Sequence, residues 1–355
     1  MKLVFLGLSL SSSWGNGHAT TYRALLKALH TNGHELLFLE REQPWYAAHR
    51  DLPAPSFCAL RFYEGVSDLD RFGREIADAD AVVVGSYVPD GIAVIDSVTA
   101  HAPRLAFYDI DTPVTMRALR TGGAQYLAPR QVPRFDLYLS FTGGPALREL
   151  ERRWGARCAR PLYCAVDPAQ HYPIATPRRW KLGYIGTYSR DRQPALKRLL
   201  IEPARRMPDQ RFVVAGPLYP GDIEWPENVD RIDHLSPGDH SRFYSSLEWT
   251  LNITRADMVR TGYSPSVRLF EASACGVPII SDKWPGLARF FEHGREILVA
   301  ETAVDVIAAL QSPPERHNSI ARASRTRALA QHTAAIRARE LEAYLLQATA
   351  ELAAD

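Results

Sequence analysis

At 355 residues the chain exceeds what one ordinary hydrophobic core serves, and the length predicts two domains. Hydrophobic residues at 46% and charged residues at 23% are the proportions of a folded soluble chain, and a formal charge of +2 gives no sign of a basic stripe for a long polyanion. Cys58, Cys158, Cys164 and Cys275 form no CxxC pair and have no zinc-like spacing to histidine, which excludes a thiolate metal cluster and predicts reduced thiols in a cytoplasm.

The apolar run Leu3–Leu8 is too short to span a bilayer and lacks a cleavage pattern, so it reads as a strand. The loop after it carries Trp14, Gly15, Asn16, Gly17 and His18 before the helical periodicity of Thr20–Leu29. Two glycines one residue apart let main-chain amides approach an acceptor or a phosphate, with a helix N-terminus behind them. A strand–helix turn that simply needs glycine is the other reading. Thr20 stands where a dinucleotide fingerprint needs its third glycine, so a standard NAD site is excluded. His18 is read either as a catalytic or acceptor-contacting group or as a residue that merely opens the helix.

Strands expected at Glu35–Leu39, Ala81–Gly85, Leu105–Asp109 and Leu137–Phe141 alternate with helices such as Pro145–Trp154, the grammar of a doubly wound parallel sheet. Asp109 and Asp111 close the third of these strands. One of the pair can titrate high beside the other and act as a base, or Asp111 can cap a helix starting at Pro113, with Thr112 competing for that position. Periodicity breaks over Tyr163–Pro173, a linker, and restarts with strands at Leu182–Gly186, Phe212–Ala215, Trp249–Ile253 and Val277–Ser281. The domains expected are residues 1–168 and 169–333, followed by a helix over 334–355. That helix has no sheet of its own and needs a surface, which the first domain can supply. Two such domains face a central cleft at the carboxyl ends of their strands, where ligands bind.

After the strand at Leu182–Gly186 come Gly186, Thr187, Arg190 and Arg192, placed to hold a diphosphate unless the arginines pair with Asp191. The strongest signal is Arg260–Pro278. There Ser264 reads as an N-cap, Pro265 as the first helical residue and Gly276 as the stop. Glu271 lies among apolar neighbours on this short helix, where a carboxylate needs either a pair with Arg268 or a ligand such as a ribose diol.

The block Ser264–Pro278 resembles the donor-binding region of retaining GT-B glycosyltransferases of the family 4 type. With Gly186–Arg192, His234–His240, Leu251–Arg255 and the passage around Asp167, it is most similar to the CgeB-like spore-maturation branch. The resemblance implies donor binding by Gly186, Thr187, Arg190, Arg192, Arg255, Ser264, Ser266, Arg268, Leu269 and Glu271. It implies a nucleoside-diphosphate sugar as co-substrate, an acceptor hydroxyl on the first domain, and neither metal nor other cofactor. Position 264 is Ser where the wider family often has a first glutamate, and Arg190 and Arg192 replace its usual Arg and Lys. Asp109 and Asp111 stand where it often has a histidine. Asp111, Asp109 and His18 are therefore the catalytic candidates. Three other readings stay open: a transferase acting on hydroxymethylated bases in DNA, a nucleotide-sugar epimerase, and a non-catalytic sugar-nucleotide binder.

Overall fold

A computed structural model describes residues 1–14 and 17–352, with side chains through 348; Gly15 and Asn16 of the glycine loop lie outside the described residues. The chain divides into two compact units, Met1–Cys164 together with Ala334–Asp355, and Ala165–Thr333.

The first unit is built on β1 (Lys2–Gly7), β2 (Glu35–Arg41), β3 (Ala59–Tyr63), β4 (Ala81–Gly85), β5 (Leu105–Asp109), β6 (Leu137–Ser140) and β7 (Ala159–Pro161). All pair in parallel, in the order β3-β2-β1-β4-β5-β6-β7. Helices cover both faces of such a sheet, so its central strands are apolar on both sides; all five residues of β4 are buried. The strand order reverses between β1 and β4, and the loops at the carboxyl ends of these two strands frame the crevice in which this topology binds ligands.

The terminal helix Ala334–Leu352 belongs to this unit. Ala338, Leu341 and Leu345 are fully buried, Glu342 accepts from Asn32 Nδ2 (2.6 Å) and pairs with His34 (2.8 Å), and Tyr344 donates to the Pro161 carbonyl. Its apolar face thus lies along helix His18–Thr31.

The second unit repeats the plan with β8 (Trp180–Ile185), β9 (Phe212–Ala215), β10 (Val229–Ile232), β11 (Leu247–Asn252), β12 (Ile279–Ser281) and β13 (Leu298–Val299). The order β10-β9-β8-β11-β12-β13 is again parallel throughout and reverses between β8 and β11. No helix among the described residues is long and apolar enough to cross a membrane.

Candidate active site

In the second unit, Arg268 ties together the two strand ends at the reversal point. From the first turn of helix Val267–Ala274 its Nε donates to the carbonyl of Ile185, the last residue of β8 (2.6 Å), and Nη1 donates to Asn252 Oδ1, on the last residue of β11 (3.0 Å). Its guanidinium lies over the Tyr184 ring at 4.8 Å. A Cβ at Gly186 would stand 2.6 Å from Tyr184 Oη and 2.9 Å from Arg268 Nη2, so a side chain there would push one or both of these groups aside.

Arg192 and Arg255 join the same cationic cluster. Burial holds the Arg192 guanidinium below the ordinary arginine value, and the charges of Arg268 and Arg255 press in the same direction. Arg192 Nη2 donates to the Thr187 carbonyl (2.7 Å), while its Nε is buried with no hydrogen-bond partner. A buried N–H without an acceptor is costly, and an anionic oxygen is the acceptor this charge calls for. Asp191 makes no hydrogen bond to Arg192 Nε; it accepts from the Ser189 hydroxyl and from the Ala256 amide (2.8 Å), and the nearby charges of Arg255 and Arg192 help to hold its pKa below the ordinary value. Arg190 stands exposed, outside the cluster, and Thr187 is exposed beside it.

Glu271 makes no pair with Arg268, which is turned to the strand ends. Its carboxylate accepts weakly from Tyr244 Oη (3.3 Å) and faces His171 Nε2 at 3.6 Å and His240 Nδ1 at 3.9 Å. Burial lowers the His240 pKa, against the pull of Glu271. The ligand atoms of His171, His240 and Glu271 lie within 4.8 Å of one another, the one group among the described residues with metal-like spacing. The sequence reading missed both histidines. His171 sits in the linker, far along the chain from Glu271, and a lone histidine there carries no periodic signal.

The start of this helix differs from expectation. It opens at Val267 with Ser266 as the extended N-cap residue, two residues later than expected, and Ser264 is buried ahead of it. The cause is the preceding chain: Gly262 and Tyr263 adopt positive φ and the Tyr263 amide binds the Pro285 carbonyl, so Ser264 and Pro265 continue a loop. Leu269 is fully buried, and its amide is bonded to the Ser266 carbonyl. Gly276, at φ +72°, ends the helix.

In the first unit, His18, Tyr87 and Asp111 come together from the loops after β1, β4 and β5. Tyr87 is held at φ +64°, a strained setting for a non-glycine residue, and its hydroxyl donates to Asp111 Oδ2 (3.2 Å). The His18 ring meets the Tyr87 ring edge-on at 5.3 Å. Burial lowers the His18 pKa to about 4, so the imidazole is neutral at pH 7. Asp111 occupies the N-cap position of helix Thr112–Arg120 without a side-chain capping bond, and the Thr112 hydroxyl is engaged with Ser140 and the Asp109 carbonyl.

Asp109 is a different case. It is fully buried, and burial raises its pKa to about 7 despite donors from Tyr138 (2.7 Å), Thr115 (2.8 Å) and the Asp111 amide (3.3 Å). This carboxyl is sealed from the surface, and its bond from the Asp111 amide ties it to the loop that carries Asp111.

Gly17 has φ −83° and open space where a Cβ would stand, so neither conformation nor packing demands glycine there. The loop before it hangs on Glu40, a buried carboxylate that accepts from the Leu10 amide (2.6 Å), the Ser11 amide (2.8 Å) and the Ser11 hydroxyl (2.7 Å). Of the first unit's arginines, Arg120 is tied to Glu149, and Arg130 and Arg134 share Asp96. A cavity of about 380 Å³ at the amino-terminal edge of the sheet, lined by Lys2, Glu35, Arg61 and Arg74, lies away from the strand ends that carry this chemistry.

Residues 192–343 match a family model described as glycosyl transferase-like. No curated protein sequence matches the chain. Among solved structures it is similar to sucrose-phosphate synthase from Thermosynechococcus elongatus (TM-score 0.71, 14% identity, covering 99% of this chain and 100% of that one). It is similar also to HepE from Anabaena in complex with UDP-glucose (TM-score 0.70, 12% identity, 98% and 100% covered). A third is an alpha-glucosyltransferase in complex with UDP-glucose and DNA containing an abasic site (TM-score 0.71, 12% identity, 97% and 99% covered). Two parallel Rossmann-like units that match such enzymes over their whole length give the chain the GT-B fold, and its residues 192–343 carry the glycosyl transferase-like pattern.

Proposed function

We propose that the chain is a CgeB-like glycosyltransferase that moves a hexose from a nucleoside-diphosphate sugar to an acceptor hydroxyl, with retention and without a metal. The observation that carries this is the unpartnered, buried Nε of Arg192 beside Arg255 and Arg268 at the reversal point of the second sheet. Three arginines and the free amides of a helix N-terminus suit a diphosphate. Glu271, on the same helix, accepts the ribose hydroxyls. UDP is the first nucleotide to test, because HepE and the alpha-glucosyltransferase are described with UDP-glucose.

In the reaction the anomeric carbon–oxygen bond breaks and its electron pair leaves on the β-phosphate, whose growing charge the arginines stabilise. The acceptor oxygen bonds the anomeric carbon, and its proton passes to the departing phosphate oxygen; Asp111 is the catalytic candidate that the first unit offers. Arg120, Arg130 and Arg134 of the first unit are each paired with a carboxylate, which weighs against a nucleic-acid acceptor. Four free thiols favour the cytoplasm as the compartment.

Calorimetric titration with UDP, GDP and ADP tests the reading. UDP should bind, and Glu271→Gln should weaken it by about 1–3 kcal/mol through loss of a charge-assisted hydrogen bond. Turnover should survive EDTA. Failure of every nucleoside diphosphate to bind sinks the proposal; unchanged affinity in the variant removes Glu271 from the donor site.

A further inference from the structure

Six large hydrophobic side chains are exposed among the described residues, and Trp14 (50%) and Trp45 (51%) are two of them. They sit at the carboxyl ends of the neighbouring strands β1 and β2, and His49 links them. Its ring stacks on Trp14 at 4.5 Å and 14°, and its Nδ1–H donates to the Trp45 carbonyl (2.8 Å).

This exposure is not slack. Glu40 pins residues 9–11, and Asp51 accepts from the Ser13 amide and hydroxyl and takes a forked contact from Arg23 (2.6 and 2.9 Å). Ser12 Oγ donates to the His49 carbonyl, and the Leu52 amide to the Ser11 carbonyl, which stitches the two segments together. A hydrogen-bonded frame thus fixes the two segments that carry these exposed indoles, and clustered exposed aromatics on an ordered surface mark a binding site more often than a core.

The charged side chains bonded to these two segments, or on them, pair off. Asp51 is paired with Arg23, and Glu42 with Arg50, and both carboxylates keep partial exposure. An aromatic face bordered by balanced donors and acceptors matches a pyranose, whose C–H face is apolar and whose hydroxyls lie at the edge. A polyanion would need excess positive charge, which these pairs do not leave.

We propose that Trp14 and Trp45 form a platform on which a pyranose ring of a saccharide stacks. Only the role of that saccharide as acceptor rests on the transferase reading above.

Saturation-transfer NMR on the whole chain tests this with the methyl pyranosides of glucose, galactose, mannose and N-acetylglucosamine, and with cellobiose. At least one probe should bind through its ring C–H protons. Trp14→Ala and Trp45→Ala should each weaken it by about fivefold, and Trp14→Phe should retain most of the affinity. Melting curves confirm that each variant is folded. Binding of no probe overturns the platform, as does equal binding by the alanine variants. Preferential binding of a 13-mer DNA through the same tryptophans also overturns it. UDP titration of Trp14→Ala separates the two proposals: intact UDP binding with lost saccharide binding supports the platform, and absence of UDP binding in the unaltered chain sinks only the transferase.

Discussion

At the scale of single residues, the first unit places two carboxyls two positions apart in opposite environments. Asp111 faces the Tyr87 hydroxyl at the strand ends, whereas Asp109 is sealed beneath it. Asp111→Asn should therefore lower kcat by roughly 10²-fold, the usual scale for lost acid–base help, with donor affinity unchanged. Near-normal kcat would reduce Asp111 to a helix-start residue and turn attention to His18. Asp109 speaks through pH instead. Its folded pKa of about 7, above the ordinary 3.8, means that the folded state holds the proton more tightly, so its contribution to stability falls as pH rises from about 4 to 7. His18, lowered to about 4 from 6.5, acts in the opposite sense: the unfolded state binds the extra proton, and stability rises over pH 4 to 6.5. The two largely cancel. Asp109→Asn removes one side, so its denaturant midpoint should climb with pH between 4 and 6.5 more steeply than that of the parent chain. An unchanged pH profile would refute the buried, protonated Asp109.

At the scale of elements, two glycines make opposite forecasts. Gly186→Ala drives a methyl into Tyr184 and Arg268, so donor affinity should drop by about tenfold or more as the arginine leaves the strand ends, a shift of at least about 1.4 kcal/mol. Gly17→Ala meets nothing and needs no unusual backbone, so the melting temperature should hold, and any loss of activity reports a ligand passing close to the main chain. Calorimetry and melting on the pair decide both. The elements also show how much of the fold is readable from residues. All nine expected strands exist, and all nine are interior: β1, β2, β4, β5, β6, β8, β9, β11 and β12. The four that were missed, β3, β7, β10 and β13, are the outermost strands of the two sheets. A strand buried on both faces writes an unbroken apolar run, whereas an edge strand such as Val-Asp-Arg-Ile of β10 or the three residues Ala159–Pro161 of β7 does not. The site divides in the same way. Arg192, Arg268 and Glu271 announce themselves by local context. Glu40, His171 and Asn252 matter through partners distant in sequence, and no window of neighbouring residues reveals them.

At the scale of the whole molecule, the first unit is discontinuous: the chain leaves it after Cys164 and re-enters it at Ala334. Leu341 and Leu345 are fully buried, and each is worth about 1.5–3 kcal/mol of burial. That sum is comparable to the roughly 5–15 kcal/mol that holds a typical domain together. A chain ending at Thr333 should therefore lose the thermal transition of the first unit while keeping that of residues 165–333. Two undisturbed transitions would show the helix to be dispensable.

The same discontinuity sets a schedule for synthesis. The strands of the first unit emerge early, yet the face of helix His18–Thr31 that the terminal helix covers stays open until all of the second unit has been translated. At the usual elongation rates that interval is roughly ten to thirty seconds. Slow translation of the second unit thus lengthens the exposure of the first, so codon choice in residues 165–333 governs aggregation of a surface those residues do not build.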